Sequence, residues 1–433
     1  MFQTIKNAWK IDDLRRKIVF ALFILLLYRI GAQIPVPFLT ADLAASMNAQ
    51  TEGSILQYMN ILSGGAFAQA TLFALGISPY ITASIVIQLL TVAIPPLERL
   101  AKEGEDGKKK LNQITRYVTV ALALLTAIGY YFMLRGYDYL TDTGVFAAVV
   151  IIACYCAGSS LVMWLAEKIN ESGIGNGISL ILFANIVSRG PSIVATLWNY
   201  AAGNIDGTPQ WLGIIIAVAS IIIGILMVML IVFITNSERR LPVQYAKKVV
   251  GRKMYGGQNS TLPIKLNNTG VMPIIFASSI VSIPATIGLF VDYHDSAFWT
   301  GFFNLFDSGS VVYAILTFLL IIAFAYFYIL ISFNPVEVSN NLKKNGGSIP
   351  GIRPGKPTSD YIKRVLNRIT LIGAIFLGFI AVFPMIINLV SGGAMAGLAF
   401  GGSSIIIVVG VIIETAREIE GQMTMRHYKG FLE

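Results

Sequence analysis

GISPYITASIVIQLL, residues Gly76–Leu90, is apolar enough to lie in a bilayer, yet it opens on a glycine and a proline and carries Ser78, Thr82, Ser84 and Gln88. At 100° per residue, Ile77, Ile81, Ser84 and Gln88 fall within about 60° of one another on a single helix face. Two readings fit that stripe. One is ordinary packing of aliphatic side chains. The other is a hydrophobic constriction that excludes water and ions by dewetting. Periodicity alone does not choose between them, and similar aliphatic groups recur at Ile178 and Leu182, around Ile275 in VMPIIF, and in SSIIIVV through Ile407.

The rest of the chain supplies the setting. Of 433 residues, 55% are hydrophobic and only 13% charged, with a mean hydropathy of +0.70. No soluble core can use so much apolar sequence, and the composition is that of a polytopic membrane protein. Windows of about 20 apolar residues predict ten spans, near 18–35, 71–93, 114–134, 144–167, 177–201, 211–235, 270–291, 311–333, 369–390 and 394–413. The first follows Lys6, Lys10, Arg15, Arg16 and Lys17 like a signal peptide, but no small-residue cleavage site comes after it, so it reads as a retained helix.

Short basic loops stay on the cytoplasmic side. With the N-terminus inside, 29 of the 32 Lys and Arg residues fall on inner segments, against 15 of the 23 acidic ones. Both termini are therefore expected in the cytoplasm. Two inner loops, about 236–269 and 334–368, are longer than topology requires and read as docking surfaces for a partner. The first carries Arg239, Arg240, Lys247, Lys248, Arg252 and Lys253; the second carries Lys343, Lys344, Arg353 and Lys356. Prolines and glycines around Arg353 predict a tight, non-helical tip. On the outer side, residues 55–70 are apolar but too short to span, and precede the broken start of the second span. Such a segment is expected to fold back into a cavity.

Several function classes find little material. No P-loop spacing occurs, so nucleotide chemistry would have to come from a partner. Cys154 and Cys156 sit too close on one helix for an easy disulfide and read as inert core. Two histidines, His294 and His427, lie near opposite faces, so no metal or catalytic cluster is expected. Arg29, Arg189 and Glu414 are the few charges within or at the edges of spans. That leaves little coupling chemistry for a secondary transporter of a small solute.

RIGAQIPVP (29–37), LFALGISPYITASIVIQLLT (72–91), MWLAEKINESGIGNGIS (163–179), NPVEVSNNLKKNGGSIPGIRPG (334–355) and GGSSIIIVVGVIIET (401–415) together resemble the SecY family, in which bacterial SecY is the central subunit of the Sec protein-translocation channel. The resemblance runs essentially end to end. It implies an all-α polytopic membrane protein of ten transmembrane helices, in two pseudo-symmetric five-helix halves, 1–205 and 206–433, around a central pore. It also implies a pore ring of Ile77, Ile81, Ile178, Leu182, Ile275 and Ile407, where Leu182 replaces the commoner isoleucine but stays aliphatic. A plug would comprise Ile61, Leu62, Ser63, Gly64, Gly65, Ala66 and Phe67. A lateral gate would lie at Ser84, Gln88, Ser278, Ser279 and Ser282, where helix two faces helices seven and eight.

The implied function is a passive channel in the bacterial plasma membrane, with no catalytic residues, cofactor or metal. Unfolded secretory chains would cross it and membrane-protein segments would leave sideways into lipid. The implied partners are SecE, SecG, the SecA ATPase and the ribosome, the last two using the inner loops. The competing classes are a secondary transporter and a membrane scaffold without a pore.

Overall fold

The computed structural model describes residues 2–40, 47, 57–203, 209–245, 248–250, 253–255, 259–288, 297–306, 310–390 and 401–429. The chain opens with a short helix α1 (Phe2–Trp9) and the first long one, α2 (Asp12–Gly31). After α3 (Gln57–Leu62), residues 63–77 run in turns up to α4 (Ser78–Ala93). A short α5 (Pro95–Lys102) leads into α6 (Glu105–Gly136), α7 (Val145–Ser172), α8 (Gly177–Ser188), α9 (Gly190–Ala202) and α10 (Gln210–Asn236). Strands β1 (Glu238–Tyr245), β2 (Lys248–Val250), β3 (Lys253–Tyr255) and β4 (Asn259–Lys265) interrupt the helices. Then come α11 (Met272–Val281), α12 (Ile283–Gly288), α13 (Ala297–Leu305), α14 (Val311–Ser332), α15 (Pro335–Lys344), β5 (Gly347–Ser348), α16 (Lys356–Val390) and α17 (Gly401–Lys429).

Six helical stretches among the described residues are long and apolar enough to cross a membrane, and α4 with α5, bent by 102°, makes a seventh if counted as one span. The other predicted spans are mainly helical over their described residues. However, α2 carries charge at its start, α11 and α12 are short, and α17 holds Glu414, Arg417 and Glu418. Large apolar side chains cover the outside of the bundle. On α10 alone, Ile214, Ile215, Val218, Ile221, Ile222 and Phe233 are exposed. Such a surface is stable only against lipid or a partner helix.

Three breaks differ from simple span boundaries, each for a local reason. The second span begins at Ser78 rather than near residue 71, because Gly76 takes φ 54° and Pro79 suits the first helical turn, where its missing N–H costs nothing. The fifth divides at Arg189, ahead of Gly190 and Pro191. The seventh divides at Ser282, two residues before Pro284.

The two long inner loops are not loops throughout. β1 pairs antiparallel with β4 from Glu238↔Lys265 to Gln244↔Asn259, and β5 pairs with the other edge of β1 through Gln244↔Ser348 and Tyr245↔Gly347. One sheet thus ties both predicted docking loops together. Leu241 and Val243 alternate inward along β1, and Leu241 and Ile264 pack with Ile329, Ile349, Ile362 and Leu366 beneath the sheet. The non-helical tip is confined to residues 345–355, since 335–344 and 356–368 are helical.

Candidate functional site

The turn segment after α3 is folded into the bundle. Asn60 and Ser63, both buried, satisfy it internally: the Ser63 hydroxyl donates to Asn60 O (3.1 Å), Phe67 N–H donates to Ser63 Oγ (2.9 Å), and Ala68 N–H donates to Asn60 Oδ1 (3.1 Å). Three side chains from three different helices then hold its carbonyls. Asn185 Nδ2 on α8 donates to Leu62 O at 2.5 Å, the Tyr130 hydroxyl on α6 to Phe67 O at 2.5 Å, and the Tyr155 hydroxyl on α7 to Ala70 O at 3.2 Å. Phe67 also lies against the Tyr130 ring, with centroids 4.7 Å apart, and Phe73 stacks on Tyr28 at 5.4 Å. Of the seven residues expected to form a plug, Ile61, Leu62, Ser63, Ala66 and Phe67 are buried and the two glycines are half-buried.

Beneath that segment lie the aliphatic side chains expected for a ring. Ile77, Ile81, Leu182, Ile275 and Ile407 are none of them more than 3% exposed, and Ile178 is half-buried. They come from α4 or its cap, α8, α11 and α17, and belong to one contiguous apolar cluster that also takes in Ile61, Leu62 and Ala66. No polar side chain is needed to hold them there.

α4 packs against α11. A cavity of about 250 Å³ opens beside their junction, lined by Ser78 and Thr82 of α4, Leu122 and Thr126 of α6, Ser279, Ser282 and Thr286. Ser84 and Gln88 lie further along α4, half-buried and outside that lining, while Ser278 is buried. The hydroxyls are satisfied on their own helices: Thr82 donates to Ser78 O (3.1 Å), Ser279 to Ile275 O (2.8 Å) and Ser282 to Ser279 O (2.7 Å). A hydroxyl bonded back to its own turn can sit at membrane depth and can loosen the helix it bonds to.

At the opposite end, Arg239, Arg240, Lys343, Lys344, Arg353 and Lys356 are exposed. Lys248 and Lys253 sit in the β2–β3 ladder, and Lys247 and Arg252 lie outside the described residues. Arg353 is held at its tip by the Thr358 hydroxyl, which donates to Arg353 O (2.8 Å), and by Ser339, which donates to Gly355 O (2.8 Å). At the root of the sheet, burial and then the Arg417 charge push the Lys265 ammonium below its ordinary pKa.

The SecY family model matches residues 71–416. The protein translocase subunit SecY of Streptomyces galbus is 43% identical over the whole of both chains, and that of Mycobacterium tuberculosis is 42% identical, again over the whole of both. The chain belongs to the SecY family. Solved structures agree on the fold: a protein-conducting channel aligns with a TM-score of 0.65 at 19% identity, covering 94% of this chain and 92% of that one. The canine Sec61 channel of a ribosome complex gives 0.61 over the same shares, also at 19% identity. This SecY-family chain is an all-α, multi-pass membrane protein and a translocase subunit, not an enzyme.

Several features of the SecY-family chain were not visible in its sequence. Arg116 on α6 and Glu167 on α7 form a two-pronged ion pair, with Nη2–Oε2 at 2.8 Å and Nε–Oε1 at 2.9 Å. Near the basic end, α17 reaches several neighbours. Glu414 accepts from Val271 N–H, Arg417 donates to Thr235 O (2.8 Å), Glu418 accepts from Gly175 N–H (3.0 Å), and Gln422 accepts from Lys17 (3.2 Å). Glu414 therefore has a local partner. Arg29 faces the segment after α3 instead of lipid. Cys154 and Cys156 are free and half-buried, and Cys154 packs against the apolar cluster that holds Tyr130 and Tyr155.

Proposed function

We propose that the chain is the pore-forming subunit of a protein-conducting channel, closed at rest by the buried segment Ile61–Phe67. The observation that carries this is the seating of that segment. A stretch too short to span is held in the bundle by two side-chain donors, with a third on Ala70 just after it, against the same apolar cluster as Ile77, Ile81, Leu182, Ile275 and Ile407. A ring of aliphatic side chains with no bonded partners can deform around a passing chain and close again by dewetting.

On this reading residues 1–205 and 206–433 form the two halves, and α4 and α11, at Ser84, Gln88, Ser278, Ser279 and Ser282, part to let apolar segments reach lipid. The weak, self-bonded hydroxyl seam beside that contact supports the gate. Both termini lie in the cytoplasm of a bacterial cell and the basic sheet and tip face inward, in keeping with the charge asymmetry of the loops. Unfolded secretory polypeptides are the substrate. SecE and SecG are the companion subunits, and SecA and the ribosome dock on Arg239, Arg240, Lys247, Lys248, Arg252, Lys253, Lys343, Lys344, Arg353 and Lys356. A relative in yeast, the Ssh1 complex, has been solved idle on a ribosome. Deleting Ile61–Phe67 is expected to raise the resting ion conductance of vesicles that carry the channel. Unchanged conductance would remove the plug assignment.

A further inference from the structure

Asn185 is fully buried on α8, and its two polar atoms fare differently. Nδ2 donates to Leu62 O, whereas Oδ1 is buried with no hydrogen-bond partner among the described residues. Arg29, near the end of α2, has the complementary difficulty, for its Nη1 is buried and also has no such partner. The two atoms converge on the same space. A Cβ built on Gly64 would lie 2.9 Å from Arg29 Nη1 and 2.9 Å from Asn185 Oδ1.

A guanidinium nitrogen only donates and an amide oxygen only accepts, so these atoms are natural partners that face the same space beside Gly64 without bonding. Gly64 takes φ 67°, and any side chain there would fill the space they share. In the seated state each atom is buried without a hydrogen-bond partner among the described residues, which is the costly way to bury a polar group.

We propose that Asn185 is a two-position latch: with the segment seated it holds the Leu62 carbonyl, and with the segment displaced its amide oxygen takes the Arg29 guanidinium. The latch rests on the plug reading above. It makes Arg29 a positioning residue that lowers the cost of plug displacement, and it accounts for a charge at membrane depth with no carboxylate bonded to it among the described residues.

The test uses the whole channel complex in vesicles, with its motor supplied, and reads both resting ion conductance and the rate at which an unfolded secretory polypeptide crosses. Each variant is made with and without Ile61–Phe67. With the segment present, Arg29→Met is expected to slow translocation about tenfold, the size of one charge-assisted hydrogen bond, at unchanged resting conductance. Arg29→Lys, which keeps a donor, should restore most of the rate. Asn185→Leu should raise resting conductance. In the channel lacking the segment, Arg29→Met should have no effect, because there is nothing left to displace.

Equal slowing in both backgrounds would mean that Arg29 is only structural, and no slowing in either would mean that the pair never forms; each overturns the latch and leaves the plug standing. Deletion that fails to raise conductance overturns both.

Discussion

Replacing Gly158 by alanine tests how tightly α7 holds the turn segment. A Cβ at Gly158 would lie 2.0 Å from the Leu72 carbonyl oxygen and 3.0 Å from its carbon. Carbon–oxygen contacts ordinarily settle near 3.3 Å, so roughly 1.3 Å of overlap must be relieved. A backbone carbonyl cannot rotate aside. Either the segment lifts off α7 or the helix retreats. Tyr155, three residues earlier on α7, donates to Ala70 O at 3.2 Å, and a shift of that size takes the bond out of range. Overpacking costs about 1–3 kcal/mol and the lost buried bond about 1 kcal/mol, together about 2–4 kcal/mol. If the strain falls on segment seating, the ratio of seated to displaced channels drops by about 30-fold to nearly 1,000-fold. The assay is resting ion conductance of reconstituted vesicles, paired with thermal unfolding in detergent, and Ser159→Ala serves as a neighbouring control. A raised conductance is expected. Wild-type conductance with a lowered Tm would show that the helices take up the strain and that α7 does not hold the segment.

Three further outcomes are expected. Tyr130→Phe, which removes the donor to Phe67 O, should raise resting conductance by about fivefold with little change in Tm; an unaltered leak would discount that bond. Arg353→Glu should abolish motor-driven export while the protein still folds, judged by its melting curve, and normal export would remove Arg353 from the docking surface. Cysteines at Thr82 and Ser282, which line one cavity across α4 and the α11–α12 break, should cross-link and stop membrane insertion; a cross-linked channel that still inserts its substrates would argue against a gate at this seam.

The spans were legible because hydropathy is a one-dimensional property, readable in any window of the right length. The start of α4 was legible in part, since Gly76 and Pro79 flagged a break but not its side, and Pro79 proved to lie in the first turn of the helix. The inner sheet was less so. ERRLPVQY carries an inward alternation at Leu241 and Val243, yet its second partner, β5, is two residues long and lies about a hundred positions away. The ties on the turn segment left no trace at all. Asn185, Tyr130 and Tyr155 are single polar residues in apolar helices, and their partners are backbone carbonyls 123, 63 and 85 residues distant. A carbonyl belongs to every residue, so no pairing of residue types marks such a bond.

The kind of tie bears on the proposed mechanism. A segment that must stay in place could be held by buried ion pairs, whose loss of one partner costs about 3–5 kcal/mol. Here the holders are an amide and two phenols, each acting on a carbonyl. At about 1 kcal/mol net apiece, three of them bias the seated state by roughly 150-fold, in addition to the apolar contacts of Phe67 and Leu62. Such a bias is large enough to limit leak and small enough for a motor-driven chain to overcome. A two-pronged ion pair, Arg116 with Glu167, joins α6 to α7, two of the helices that supply the donors. A charge-assisted pair thus ties the frame, and neutral bonds to carbonyls hold the part that the plug reading requires to move.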